Sequence, residues 1–254
     1  MELIQAIILG LVQGFTEWLP ISSSGHLILA QKLMNLNIPI AFDVVLHVGT
    51  LIAVIVFFWK DILKILKSLF SFKTKDENFK LAVYVVIGTI PISIIGFLFL
   101  DFFESLFLST TVVGIGFLIT GILLLLSKFG NSNKNLNWLK SLTIGIGQAI
   151  SLVPGISRSG STISVGLMNG VKKSEVFKYS FLLSIPAIIG ASLVEYNKII
   201  FSDLSFYSFV GMIVAAVSGY LAIKIVRKTL LSEKFYLFAI YCFILGIVVL
   251  SFSF

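Results

Sequence analysis

The sequence predicts an all-α polytopic membrane protein made of two inverted repeats, each a re-entrant helix hairpin followed by three transmembrane helices. Three observations predict it. Only 12% of the 254 residues are charged and 57% are hydrophobic, with a mean hydropathy of +1.05, whereas a soluble domain carries roughly 25% charged residues. Apolar stretches of about 18 residues, the length that crosses a hydrocarbon core about 30 Å thick, recur six times, at roughly 42 to 59, 81 to 100, 111 to 127, 177 to 194, 207 to 223 and 235 to 252. Finally, "GLVQGFTEWLPISSSGHLI" from Gly10 lies without a gap over "GIGQAISLVPGISRSGSTI" from Gly145. That alignment pairs Gln13 with Gln148, Ser22 with Ser157, Ser24 with Ser159 and Gly25 with Gly160.

The elements follow in chain order. Residues 1 to 34 are apolar but broken at "LPISSSGH", which reads as two short helices around a polar turn; Pro20 and Gly25 belong to the break. The start, "MELIQAIILG", carries Glu2 and no basic residue, so it is not expected to be a secretory signal peptide. After the span at 42 to 59, the connection 60 to 80 holds Lys60, Lys64, Lys67, Lys73, Lys75 and Lys80, which places it in the cytoplasm. The span at 81 to 100 then leads to "DFFESLFLS", acidic at Asp101 and Glu104 and expected outside. Beyond the span at 111 to 127, Lys128, Lys134 and Lys140 mark a return to the cytoplasm. The second polar unit, 136 to 170, breaks at "VPGISRSG" around Pro154 and Gly155. Three more spans follow, with Lys172, Lys173 and Lys178 on one cytoplasmic loop and Lys224, Arg227 and Lys228 on another. The last span contains Cys242, the single cysteine, which excludes a disulfide framework and a cysteine metal site.

An odd number of spans per repeat inverts the second repeat relative to the first. The chain is therefore one domain, 1–254, with repeats of about 1–130 and 131–254. By the loop charges, one hairpin enters from outside and the other from the cytoplasm, so their tips meet. Non-helical backbone at that depth is tolerated where it is buried in protein or lines a wet cavity. The net charge of +7 does not point to nucleic acid, because the basic residues lie in short loops and form no continuous face.

Each tip opens a helix and so offers free backbone N–H groups and a positive dipole end, an arrangement suited to phosphate. Arg158 adds a permanent charge and a donor fork that matches phosphate oxygens. An arginine in the membrane interior is by default a functional residue; the plainer alternative is an ion pair with Glu17. Glu17 lies four residues after Gln13, on the same helix face, and can hold a divalent cation or act as a base. Ser23, His26 and Glu17 supply the hydroxyl, imidazole and carboxylate of nucleophilic or general-base chemistry. Ser22, Ser24, Ser157 and Ser159, with Gly25 and Gly160, line the two turns; taken singly, each serine reads as a helix cap. His47 has no nameable partner and reads as structural.

"QGFTEWLPISSSGH" and "PGISRSG" resemble the two signature regions of the undecaprenyl pyrophosphate phosphatase family, the membrane enzymes linked to bacitracin resistance. The likeness extends over the whole chain in length, span pattern and placement of both signatures. It implies hydrolysis of undecaprenyl pyrophosphate to the monophosphate and phosphate, which recycles the lipid carrier of cell-wall synthesis. It also implies a bacterial inner membrane location with the pocket opening toward the outer face. Carried over residue by residue, the acidic motif falls on Gln13 and Glu17, the serine and histidine on Ser23 and His26, and the phosphate-binding arginine on Arg158. Many family members have glutamate where this chain has Gln13. A cation, Mg²⁺ or Ca²⁺, would then depend more on Glu17 and on the substrate's own phosphates. Ser23, His26 or an activated water remain as alternative nucleophiles. The expected partners are the prenyl pyrophosphate and membrane lipid, no nucleic acid, and room is left for a homodimer. The rival reading is a transporter or flippase for a phosphorylated prenyl lipid, since broken helices meeting at the midplane are also transporter architecture.

Overall fold

The computed structural model describes residues 2–36, 38–195 and 206–252. Among these the chain is helical, and the isolated parallel bridge between Lys134 and Val171 is the one strand-like pairing. The first polar unit folds as α1 (Leu3–Trp18) and α2 (Ser23–Leu33). At 16 and 11 residues they rise about 24 and 17 Å, too little to cross a core about 30 Å thick. Between them Leu19 is extended, Pro20 has no N–H to continue the helix, and Ser22 sits at φ +68. α3 (Ile40–Phe57) ends at Phe58, where the axis turns by 76° into α4 (Trp59–Phe70). α5 (Glu77–Leu98) starts at Asp76, whose carboxylate accepts the Asn78 N–H at 3.3 Å. The short α6 (Leu100–Leu106) and α7 (Thr110–Ser127) complete the first half.

The second half repeats the order. α8 (Trp138–Ile150) and α9 (Arg158–Met168) form its polar unit, followed by α10 (Lys173–Val194) and α11 (Phe206–Leu231). A 3-10 turn at Phe235–Leu237 then leads into α12 (Phe238–Phe252). Gly155, in the turn between α8 and α9, has φ +90, and a Cβ there would strike the Val113 carbonyl oxygen, so both backbone and space call for glycine. Among the described residues five helices are long and apolar enough to cross a membrane, and the α3–α4 pair would make a sixth if counted as one span. The protein is a multi-pass membrane protein, and the helices fall on the apolar stretches of the sequence. Two connections differ from expectation. Residues 59–70 form α4, and 100–106 form α6, because their apolar residues recur at helical spacing between the charges.

Packing crosses between the halves. α1 runs against α11 and α8 against α5, while α3 lies along α11 and α7 along α12. Both hairpin contacts use glycine. A Cβ on Gly10 would come within 2.6 Å of the Gly211 carbonyl oxygen, and one on Gly145 would strike the Gly88 carbonyl oxygen. Such small residues let helix backbones approach closely, which is how helices associate where lipid removes the hydrophobic drive. The main core gathers Trp18, Phe58, Leu124, Ile163, Phe181 and Val226 from both halves. Trp18 stacks on Phe181 with centroids 5.0 Å apart and an interplanar angle of 24°.

Candidate active site

The two broken turns are built alike. Ser22 Oγ accepts the Gly25 N–H at 3.4 Å at the start of α2, and Ser157 Oγ accepts the Gly160 N–H at 3.0 Å at the start of α9. Ser22 and Ser24 hydroxyls lie 3.2 Å apart, and those of Ser157 and Ser159 lie 3.3 Å apart. Ser22 and Ser157 thus cap their helices as short polar side chains do. The turns also touch one another. Ser159 Oγ donates to the Leu19 carbonyl at 3.3 Å, and a Cβ on Gly160 would sit 3.4 Å from the Pro20 Cβ. On the far side, a Cβ on Gly25 would fall 2.6 Å from the Phe117 ring.

At this junction the last turn of α1 places Glu17, 8% exposed. Its Oε1 accepts Arg158 Nη2 at 2.5 Å, while Oε2 accepts Ser23 Oγ at 2.6 Å and Gln13 Nε2 at 3.2 Å. Arg158 is the first residue of α9, so a group from each half closes the pair. The guanidinium lies 5.0 Å over the Trp18 ring, a cation–π contact that ties the charge to the core through the Trp18–Phe181 stack. Arg158 Nη1 and Gln13 Oε1 are buried and have no hydrogen-bond partner among the described residues. A buried guanidinium N–H left without an acceptor is expensive, so this donor marks where an anionic oxygen would be held.

His47, from the middle of α3, also reaches the cluster. Its Nε2 is 3.6 Å from Glu17 Oε2, and its Nδ1 faces the Asp43 carbonyl oxygen at 2.8 Å. A carbonyl only accepts, so Nδ1 carries the proton and Nε2 is the nitrogen turned to Glu17. Behind it, the Asp43 carboxylate accepts Gln31 Nε2 at 2.8 and 3.1 Å. His26 is placed elsewhere. Its Nδ1 meets the Ser22 carbonyl oxygen at 2.7 Å and its Nε2 the Tyr241 hydroxyl at 2.7 Å. The ring stacks on Tyr241 at 5.7 Å and meets Phe117 edge-on at 5.2 Å. The structure thus brings Gln13, Glu17, Ser23 and Arg158 together, with Ser22, Ser24, Gly25, Ser157, Ser159 and Gly160 forming the turns around them. His26 lies at the same tip without a hydrogen bond to Ser23 or Glu17. Sequence reasoning missed three neighbours: Trp18, His47 and Tyr241. For His47 a signal existed, since "FDVVLH" sets two ionisable residues one turn apart inside an apolar span; Trp18 and Tyr241 carry none.

Among the described residues no group of three or more His, Cys, Asp or Glu side chains is arranged to hold a metal ion. The oxygens on offer are those of Glu17 and the unpartnered Gln13 Oε1. That set suits a cation only when a ligand supplies further oxygens, the usual habit of Mg²⁺. A separate apolar groove of about 390 Å³, lined by Val85, Val86, Thr89, Ile90, Ser93, Ile94 and Pro186, lies between α5 and α10 and contains none of these polar residues.

A family model described as "Bacitracin resistance protein BacA" matches residues 6–248. A curated protein of Korarchaeum cryptofilum named undecaprenyl-diphosphatase is 41% identical, covering 99% of both chains. One of the same name from Halothermothrix orenii is 44% identical, covering 98% of both. Another, from Methanosphaera stadtmanae, is 40% identical, covering all of this chain and 99% of its own.

Proposed function

The chain belongs to the bacitracin resistance protein BacA family, and from that premise we infer that it is an undecaprenyl-diphosphatase, a hydrolase of the phosphoric anhydride in a membrane-bound prenyl diphosphate. Its products are the prenyl monophosphate and phosphate. One observation carries the reading into chemistry: Glu17 simultaneously holds the Ser23 hydroxyl of one hairpin and the Arg158 guanidinium of the other. A carboxylate accepting a serine proton, beside a permanent cation with an unpartnered N–H, is a base, a nucleophile and an anion holder in contact.

In the mechanism that follows, the diphosphate takes up Arg158 Nη1 and the N–H groups that open α2 and α9. Ser23 Oγ attacks the terminal phosphorus in line with the bridging oxygen, and its proton passes to Glu17 Oε2. The P–O bond to the bridge breaks, and the prenyl monophosphate departs with that oxygen. Glu17 passes its proton to that departing oxygen and is again a carboxylate. Water then attacks the seryl phosphate, giving a proton to Glu17, which returns it to Ser23 Oγ as the serine–phosphorus bond breaks and phosphate is freed. Phosphoryl transfer asks chiefly for positioning and charge stabilisation, which Arg158 and the two helix ends supply. A divalent cation, Mg²⁺ or Ca²⁺, would be held by Gln13 Oε1, Glu17 and the substrate's oxygens, and when bound it neutralises part of the diphosphate charge. The ring of His26, held by the Ser22 carbonyl and Tyr241, keeps the α2 turn in place.

The fold supports a finer reading as well. The equivalent contacts of Gly10 on Gly211 and Gly145 on Gly88, made by hairpin helices against the opposite half, are what an inverted repeat with two re-entrant hairpins requires. The loop charges favour entry of the first hairpin from the outer face of the bacterial inner membrane, with the prenyl chain along the apolar exterior or between helices.

The test is phosphate release from a ³²P-labelled long-chain prenyl diphosphate by the purified protein, with acid quenching. The intact protein releases phosphate and traps label on serine, whereas Ser23→Ala does neither. Release by the intact protein without trapped label would leave the diphosphatase reading standing and make water the direct nucleophile. Binding without release under any cation would favour the transporter.

A further inference from the structure

We propose that α4 lies flat on one membrane surface and binds anionic phospholipid headgroups through Lys60, Lys64 and Lys67. At 3.6 residues per turn, "WKDILKILKSLF" divides into three faces. Lys60, Lys64 and Lys67 share one arc of about 60°, all exposed. Trp59, Leu63, Leu66 and Phe70 share the adjoining arc and are 54, 49, 41 and 82% exposed. The third face turns to the protein. Ile62 and Ile65 pack on the main core, Ser68 is buried, and Asp61 pairs with Lys178 of α10 at 2.5 Å. Because Lys178 takes up Asp61, the charge of that carboxylate does not offset the three lysines. Those lysines make no ion pair among the described residues.

The occupant follows from how the faces adjoin. α4 leaves the α3 axis at 76°, so with α3 crossing the membrane α4 runs close to the membrane plane. Its apolar arc then enters the acyl layer while the neighbouring basic arc stands at headgroup level, the arrangement of an interfacial amphipathic helix. An acidic soluble protein would leave Trp59, Leu63, Leu66 and Phe70 uncovered. A second copy in symmetric contact would set lysines against lysines. An anionic lipid satisfies both arcs. Each lysine near an anionic surface contributes about fivefold in affinity, so three give on the order of 100-fold.

The experiment uses the full chain with Trp138→Phe, reconstituted in phosphatidylcholine vesicles doped with brominated phosphatidylglycerol or brominated phosphatidylcholine, and reads quenching of Trp59; Trp18 is fully buried. Brominated phosphatidylglycerol is expected to quench at a mole fraction lower by on the order of 100-fold, with the advantage shrinking as salt screens it. Lys60→Gln, Lys64→Gln and Lys67→Gln together should abolish the advantage while phosphate release continues, and Lys224→Gln with Lys228→Gln on α11 should leave it intact. Equal quenching by the two lipids, a preference that survives the triple change, or no quenching by either would each overturn the proposal. Because the readout is lipid contact, it stands or falls separately from the diphosphatase activity.

Discussion

Glu17 carries four contacts on two oxygens, and their removal is not equivalent. Glu17→Gln keeps the shape and loses the base, so kcat should drop by about 10² to 10⁴ in a phosphate-release assay, with the protein still folded. Arg158→Ala leaves a carboxylate buried without its ion pair, a loss worth about 3–5 kcal/mol in stability as well as the anion holder. Arg158→Lys separates the two effects, because the charge stays while the fork and the stack on Trp18 go; it should fold and release phosphate at about 10²-fold lower rate. His47→Gln removes the ring whose Nε2 stands 3.6 Å from Glu17 Oε2, and kcat should fall by about tenfold with KM little changed. At this scale the sequence was legible where chemistry is rare: a buried arginine, a carboxylate and clustered serines stand out against an apolar chain. It was not legible where the meaning depends on a partner. His47 becomes part of the site only because α3 brings it to Glu17 from thirty positions away, and His26 drew attention by its neighbours in sequence while its ring turns to Tyr241.

Among the elements, the hairpins were readable from their punctuation. Pro20, Gly155 and the serine caps end one short helix and begin another, and the helix starts at Ser23 and Arg158 agree with the repeat. α4 was hidden by counting its lysines as loop charge instead of following the apolar residues between them. The glycine contacts under the hairpins could not be foreseen, since glycines at 10, 88, 145 and 211 acquire meaning only when the opposing helix is known. Gly145→Leu should therefore overpack the α8–α5 contact at a cost of about 1–3 kcal/mol, measured as earlier unfolding in a denaturing detergent titration. Gly190, with no heavy atom within 4 Å of an added Cβ, should accept alanine without loss.

For the whole molecule, composition fixed the membrane class, and loop charge predicts an orientation that a labelling experiment can check. In a Cys242→Ser background, Ser105→Cys should react with an impermeant thiol reagent in intact cells, and Thr74→Cys only after the membrane is opened; the reverse pattern would turn the protein over. The repeat was legible as a matched frame, but the frame does not repeat the chemistry. The offset that pairs Gln13 with Gln148 also pairs Glu17 with Leu152, Ser23 with Arg158 and His26 with Ser161. The carboxylate and the hydroxyl lie in one half and the guanidinium in the other. The ion pair between Glu17 and Arg158, 141 positions apart along the chain, is thus a seam between two halves, neither of which holds the whole of the proposed machinery. Were the gene divided within the connection after α7, each polypeptide would be inert alone, and the pair made in one cell would regain activity by complementation, as the products of two loci.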